Sequence, residues 1–148
     1  MLALLFNIGE ERYALDCASI VEIVPSIPAR PIPGSPAWIR GVIDYRGSVT
    51  PVVDLKCALD GRTSEQFMST RIVIANYPAA SGSRPLGLVA ERVLDTARLE
   101  EVSARASGVR SETAPWLGAV MKSGGDIVLC VDVRKLLPAE IGQWLFRD

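Results

Sequence analysis

The chain has 148 residues, of which 49% are hydrophobic, and its formal net charge is −1. This length suits one ordinary domain with a sizeable core, and the composition excludes a mostly disordered chain. The near-neutral, mixed charge lacks the basic character of nucleic-acid binders, so we expect no nucleic-acid partner. No apolar run approaches the roughly 20 residues of a membrane-spanning helix, so we expect no direct membrane insertion and a cytoplasmic location.

The chain contains no histidine. This removes the usual general base, the usual partner of a serine or cysteine nucleophile and the commonest transition-metal ligand. The three cysteines, Cys17, Cys57 and Cys130, lack the spacing of metal ligands and lie in apolar runs, which favours a role as small core residues. We therefore expect no enzyme, no cofactor and no metal. A small β-barrel hydrolase or transferase that uses Cys17, Cys57 or a carboxylate such as Asp44 is the weaker alternative.

Short strands separated by turn signals recur along the whole chain, which predicts an all-β fold of small barrels. The first half predicts, in order, a β-hairpin at 2–15, a turn at 18–20 with a strand at 21–24, a proline-rich surface crossing at 25–36, strands at 42–43 and 49–53 around a turn at 45–48, and a short helix capped by Asp54. The second half predicts a strand at 71–75, an exposed loop at 77–85, a return strand at 86–89, a second surface crossing at 98–114, a strand-turn-strand unit within 116–137, and a short C-terminal amphipathic helix at 138–146.

A 22-residue module occurs twice. Residues 38–59 align without a gap onto residues 116–137, and 12 of the 22 positions are identical or conservatively exchanged. The duplication predicts two five-stranded barrels packed side by side, formed approximately by residues 2–60 and 70–137, with a tail at 138–148. Together they make one domain.

The comparison of the two copies separates structural residues from functional ones. Asp54 and Asp132 follow equivalent strands, so both are interpreted as helix caps. The turn Asp44-Tyr45-Arg46 is particular to the first copy, and Arg46 aligns with Gly124. Because an arginine offers a planar set of donors to carboxylates, and because Tyr and Arg are enriched at protein interfaces, we interpret this turn as a recognition site.

The ordered motifs of the chain resemble those of CheW-like domains. The resemblance covers residues 2–137, and its motifs are 6–16, 20–23, 39–47, 51–55, 87–93 and 131–137. It implies two SH3-like β-barrels and a non-catalytic adaptor that couples a chemoreceptor to a CheA-like histidine kinase, whose regulatory domain has the same fold. It also implies recruitment of the adaptor to membrane-associated receptor arrays. The start of the chain on its first strand and the tail Trp144-Leu145-Phe146 resemble the adaptors of Wsp-like surface-sensing pathways.

The resemblance also implies which residues contact partners. The turn that usually reads Asn-Leu-Arg-Gly in the family reads Asp44-Tyr45-Arg46-Gly47 here, so the arginine associated with receptor binding corresponds to Arg46. Tyr45 and Asp44 depart from the family pattern beside it. The remaining positions that make or support partner contacts correspond to Ile20, Glu22 and Gly41.

Overall fold

The computed structural model describes residues 1–101 and 115–146. These residues form short β-strands and two short helices, α1 (Leu55–Asp60) and α2 (Ala139–Leu145). The strands are β1 (Leu2–Ile8), β2 (Glu11–Asp16), β3 (Ile20–Pro25), β4 (Ile39–Tyr45), β5 (Ser48–Asp54), β6 (Arg71–Ala79), β7 (Gly82–Ala90), β8 (Thr96–Arg98), β9 (Glu100–Glu101), β10 (Leu117–Ser123) and β11 (Asp126–Val131). Most of the predicted second surface crossing, residues 102–114, lies outside the described residues. The last two residues of the predicted tail, 147–148, also lie outside them.

The strands form two sheets, and the predicted all-β fold is confirmed. One sheet has five strands in the order β3-β6-β7-β5-β4. The other has the order β8-β1-β2-β11-β10-β9, in which the two-residue β9 adds a sixth strand to the five that we predicted. The turn at Cys17–Ser19 before β3 and the C-terminal helix also form where the sequence predicts them.

The composition of the sheets differs from the prediction that each copy forms its own barrel. Hairpin β4–β5 of the first half pairs in parallel with β7 of the second half, through Val52 and Gly87. Hairpin β10–β11 of the second half pairs in parallel with β2 of the first half, through Cys130 and Ala14. The halves at 2–60 and 70–137 thus exchange strands. The physical reason is that each two-stranded hairpin must pair with a further strand to complete its sheet, and that strand belongs to the other half.

The duplicated hairpins have the same register. Asp44 pairs with Val49 in the first hairpin, and Lys122 pairs with Ile127 at the equivalent position of the second. Both hairpins also contain a register shift near the start of their first strand. The sequence repeat therefore encodes one hairpin geometry that is used twice.

The hairpin β6–β7 is longer than the sequence predicts. We expected an exposed loop at 77–85, because Pro78 and Pro85 remove backbone donors. Instead the strands continue to a two-residue turn, and Pro78 pairs with Ser83. Strand β3 pairs with β6 only as far as Ala75, and β5 pairs with β7 only at residues 87–89. Neither strand flanks the hairpin at Pro78 or Pro85, so the missing proline N–H groups leave no carbonyl of a third strand without a hydrogen-bond donor.

The main core lies between the two sheets. Its buried residues come from both halves and include Phe6, Leu88 and Trp116, and Trp38 packs against them from the side. Helix α2 covers one end of this core, where Phe146 stacks on Tyr77 with a ring-centroid distance of 5.2 Å. A smaller cluster inside the five-stranded sheet consists of Ile43, Val52, Ile72, Ile74 and Val89.

Asp54 and Asp132 cap the turns that follow β5 and β11, as the duplication predicts. Their surroundings differ. The side chain of Asp54 is 1% exposed and accepts hydrogen bonds from Arg40 at 2.9 and 3.0 Å and from Ser64 at 2.6 and 2.9 Å. The side chain of Asp132 is 18% exposed and pairs with Arg134 at 3.1 Å, which lowers the pKa of the Asp132 carboxyl.

We expect Asp54→Ala to lower the free energy of unfolding by about 3 kcal/mol, because it leaves buried donors and a paired arginine without their acceptor. The matched variant Asp132→Ala removes the equivalent cap at a more exposed position and should cost less than about 1 kcal/mol. Urea unfolding of both variants measures the difference. Equal losses would contradict the interpretation that burial separates the two aspartates.

Candidate functional site

The predicted site residues lie where the two edge strands of the five-stranded sheet meet. Strand β3 carries Glu22, and strand β4 ends at Tyr45 beside the turn that carries Arg46. Although β3 and β4 lie at opposite ends of the strand order, side chains from both form hydrogen bonds with one another. The curvature of the sheet therefore brings together residues that are more than 20 positions apart in the chain.

Glu22 is the acceptor at the centre of this cluster. Its Oε1 accepts hydrogen bonds from Nη2 of Arg46 at 2.5 Å and from the hydroxyl of Tyr45 at 3.3 Å. Its Oε2 accepts from the same nitrogen of Arg46 at 3.1 Å. The hydrogen bond and charge of Glu22 raise the pKa of Arg46, so the guanidinium stays charged. The side chain of Arg46 is nevertheless 73% exposed, against 30% for Glu22.

The turn that presents Arg46 has an unusual backbone. Arg46 has φ = 51°, in the left-handed region that favours glycine, and the equivalent Gly124 has φ = 61°. The Oδ1 of Asp44 accepts a hydrogen bond from the backbone N–H of Gly47 at 2.8 Å and so closes the turn. A non-glycine residue in this conformation costs of order 1 kcal/mol, which indicates that the arginine side chain serves a purpose other than folding.

Gly41 is buried and has a structural role behind the site. Residues 25–38 cross the sheet edge, and Arg30 exchanges backbone hydrogen bonds of 2.8 and 2.9 Å with Val42. A Cβ atom at Gly41 would lie 1.9 Å from the carbonyl oxygen of Arg30, and the φ of Gly41 is 134°. The structure therefore places Gly41 under the crossing segment, where it supports β4 and leaves no room for a side chain.

Strand β3 holds the predicted contact residue Ile20 against the core and exposes Val21 and Ile23, which are not among the predicted contact residues. Ile20 is partly buried and packs against the main core. Val21 and Ile23 are 49% and 41% exposed on the edge strand that carries Glu22. The alternation of apolar residues with Glu22 was the signal for them in the sequence. Alternation alone does not show which apolar residues of β3 the main core leaves exposed to solvent.

Each duplicated hairpin also exposes one β-branched apolar residue. Val49 in β5 is 70% exposed, and the equivalent Ile127 in β11 is 67% exposed. The cross-strand neighbour of Val49 is the acidic Asp44, whereas that of Ile127 is the basic Lys122. At this position the two hairpins thus expose a similar apolar side chain beside residues of opposite charge.

The structure offers little that favours the alternative of a hydrolase. Burial raises the pKa of the thiols of Cys17 and Cys57, which is opposite to the activation of a nucleophile. Asp44 holds its turn and lies on the exposed surface. A polar cleft of about 880 Å³ extends along α1, and its buried Glu91 accepts hydrogen bonds from the backbone of Gly9 and Glu65. Within residues 1–101 and 115–146 no group of acidic or cysteine residues is arranged to hold a metal ion.

Known proteins show the family of the chain. The CheW-like domain family matches residues 2–140. The chain belongs to the CheW-like domain family. The chemotaxis protein CheW of Klebsiella aerogenes is 28% identical over 142 residues, which cover 93% of this chain and 81% of that protein. The chemotaxis protein CheW of Thermotoga maritima is 28% identical over 132 residues, which cover 89% of this chain and 84% of that protein.

A solved structure shows the same CheW-like fold. The scaffolding protein TtCheW of Thermoanaerobacter tengcongensis superimposes with a TM-score of 0.76 at 21% identity, over 93% of this chain and 87% of that chain. This likeness agrees with the two SH3-like subdomains that the resemblance implied. Among the described residues of this CheW-like chain, no helix is long and apolar enough to cross a membrane.

Proposed function

We propose that this CheW-like chain is a non-catalytic adaptor that couples a methyl-accepting chemoreceptor to a CheA-like histidine kinase in bacterial chemosensory signalling. The observation that carries the proposal is the family match over residues 2–140, together with relatives that are chemotaxis proteins. The raised pKa of the Cys17 and Cys57 thiols argues against either cysteine as the nucleophile of the alternative hydrolase. Recruitment to membrane-associated receptor arrays belongs to the same proposal, and the link to a Wsp-like pathway stays a prediction.

The receptor side of the proposal concerns the edge of β3 and the turn after β4. The exposed guanidinium of Arg46 supplies charge and hydrogen-bond donors, and Val21 and Ile23, which are exposed on the strand that carries Glu22, supply apolar area. A helical segment can present both kinds of side chain to a protein surface. We propose that a helical receptor tip lies along β3 and contacts Arg46.

The kinase side of the proposal concerns the duplicated hairpins. The resemblance implies that the regulatory domain of the kinase has the same double-barrel fold, so it contains equivalent hairpins. Val49 and Ile127 are exposed apolar residues, one in each of the two sheets of this chain. We propose that one of these hairpins packs on a hairpin of the kinase, because burial of such side chains favours association.

We expect Val49→Asp or Ile127→Asp to weaken binding of the regulatory domain of the cognate kinase at least about tenfold, because a charge then replaces a buried apolar contact. Isothermal titration with each variant identifies the hairpin that is used. Met68→Asp is the matched control, since Met68 is 96% exposed and lies in the segment between α1 and β6, outside both hairpins. Unchanged affinity in both hairpin variants would contradict the proposed contact.

The coupling function itself is tested by co-purification from the native cell. We expect a CheA-type kinase and a methyl-accepting receptor to be recovered together with the tagged chain. Recovery of neither protein, under conditions that preserve receptor arrays, would contradict the proposed function. Recovery of the kinase alone would support the kinase contact and contradict the receptor contact.

A further inference from the structure

The polar cleft along α1 takes no part in the proposed adaptor contacts. It has a volume of about 880 Å³ and lies between hairpin β1–β2, helix α1, the segment that joins α1 to β6, and the residues that follow β7. None of its lining residues belongs to β3, to hairpin β4–β5 or to hairpin β10–β11. The cleft is therefore separate from the residues proposed to contact the receptor and the kinase.

The cleft carries more negative than positive charge. Five acidic and three basic side chains line it. Two acidic residues are already paired with basic ones, because Glu91 lies 3.9 Å from Nζ of Lys56 and Asp60 lies 3.3 Å from Nη2 of Arg62. The other three carboxylates make no hydrogen bond or ion pair within residues 1–101 and 115–146, and they belong to Glu10, Glu11 and Glu65. A single basic residue remains to balance them, so the cleft attracts a positive group.

The floor of the cleft supplies an observation that is independent of these carboxylates. Tyr13 is 7% exposed, and its ring belongs to the main core. Its hydroxyl makes no hydrogen bond in the described part of the chain, where every side-chain polar atom that is cut off from solvent has a partner. The hydroxyl therefore opens into the cleft that Tyr13 lines. Burial and the charges of Glu11 and Asp60 raise the pKa of Tyr13, so the phenol stays neutral and its oxygen can accept a hydrogen bond.

We propose that the cleft binds a small organic cation whose ammonium or guanidinium group donates hydrogen bonds to Tyr13 and to the carboxylates of Glu10 and Glu11. Such groups carry several N–H donors and no acceptor. Leu59 and Phe67 line the same cleft and offer apolar contact to an alkyl chain between two such groups. A volume of about 880 Å³ suits an organic ligand. A metal ion fits less well, because among the residues that the structure describes no acidic or cysteine side chains converge as its ligands would.

Isothermal titration of the full chain with spermidine, and separately with agmatine, tests the proposal at a constant salt concentration of about 150 mM. The first variant combines Glu10→Gln with Glu11→Gln. The second, Tyr13→Phe, keeps the packed ring and removes only the hydroxyl. The matched control combines Glu100→Gln with Glu140→Gln, which makes the same change of net charge at exposed residues outside the cleft. Thermal unfolding with and without each amine is the second readout, because a ligand of the folded state raises Tm.

We expect saturable binding of at least one amine to wild type and to the control, with a rise in Tm. Binding should weaken at least about tenfold in the Glu10→Gln, Glu11→Gln variant and about threefold in Tyr13→Phe. Absence of saturable binding to wild type would overturn the inference. Equal weakening in the control would also overturn it, because attraction by net charge alone would then explain binding. Since the cleft is separate from the proposed adaptor contacts, none of these failures would contradict the adaptor function, which co-purification tests.

Discussion

The variant Arg46→Glu should lose detectable binding to the receptor while its midpoint of urea unfolding stays close to that of wild type. The substitution reverses the charge of a side chain that is 73% exposed and places a second carboxylate beside Glu22. An exposed ion pair contributes little to stability, so the folded state tolerates the change. In the variant, a receptor surface that is complementary to the guanidinium of Arg46 would face a carboxylate instead, so binding is lost. Pull-down of a soluble cytoplasmic fragment of the receptor and urea unfolding of the same preparation measure the two effects.

Arg134→Glu is the matched control. Arg134 is 75% exposed and pairs with Asp132 at 3.1 Å, so the control makes the same charge change at an equally exposed ion pair in the second half of the chain. We expect it to bind the receptor as wild type does. Loss of binding in both variants would indicate an effect of net charge alone. Retained binding in Arg46→Glu would show that the site lies elsewhere.

Gly41→Ala should lower the free energy of unfolding by about 4 kcal/mol or more, which is among the largest effects of a single substitution. The new Cβ would lie 1.9 Å from the carbonyl oxygen of Arg30, at a φ of 134° that side chains rarely adopt. The nearest atoms are the carbonyl group of Arg30 and the nitrogen of Pro31, which all belong to the backbone. A change of side-chain rotamer therefore cannot relieve the clash. The crossing segment must move away, and the two hydrogen bonds between Arg30 and Val42 then break. Chemical denaturation and hydrogen exchange of Val42 measure the result.

Gly118→Ala is the control for this prediction. Its Cβ would meet the nearest atoms, Cβ of Asp132 and the carbonyl oxygen of Cys130, at 3.5 and 3.6 Å, which is ordinary contact. The position equivalent to Gly41 in the second copy is Ala119, so that hairpin already carries a Cβ there. A loss below about 1 kcal/mol in Gly41→Ala would contradict the role assigned to the crossing segment. A large loss of receptor binding by a folded Gly41→Ala protein would instead favour a direct role in the site.

The local features of the fold could be predicted from the sequence, because they depend on neighbouring residues. Asp54 and Asp132 act as caps through hydrogen bonds to residues two or three positions further along, and the turn at Arg46 follows from the glycine after it. The pairing of Glu22 with Arg46 could not be predicted. It depends on the curvature of a sheet in which the edge strands β3 and β4 come from the first half and the strands β6 and β7 between them come from the second.

The exchange of strands between the two halves likewise could not be predicted from the sequence. A repeat of 22 residues shows that a hairpin occurs twice, but it carries no signal for the strand beside which each hairpin lies. That choice depends on the parallel pairs Val52 with Gly87 and Cys130 with Ala14, which are separated by 35 and 116 residues. Contacts of this range are set by the packing of the whole core and have no local sequence signature.

The pairing of Ala14 with Cys130 also limits how the protein can form during synthesis. Strand β2 ends at Asp16 and leaves the ribosome well before its parallel partner β11, which ends at Val131. At a translation rate of about 5–20 residues per second, the N-terminal hairpin waits several seconds with one edge unpaired. An unpaired edge is prone to join other chains. The five-stranded sheet needs nothing beyond Ala90, so it can assemble first and hold the N-terminal hairpin until the last strands arrive.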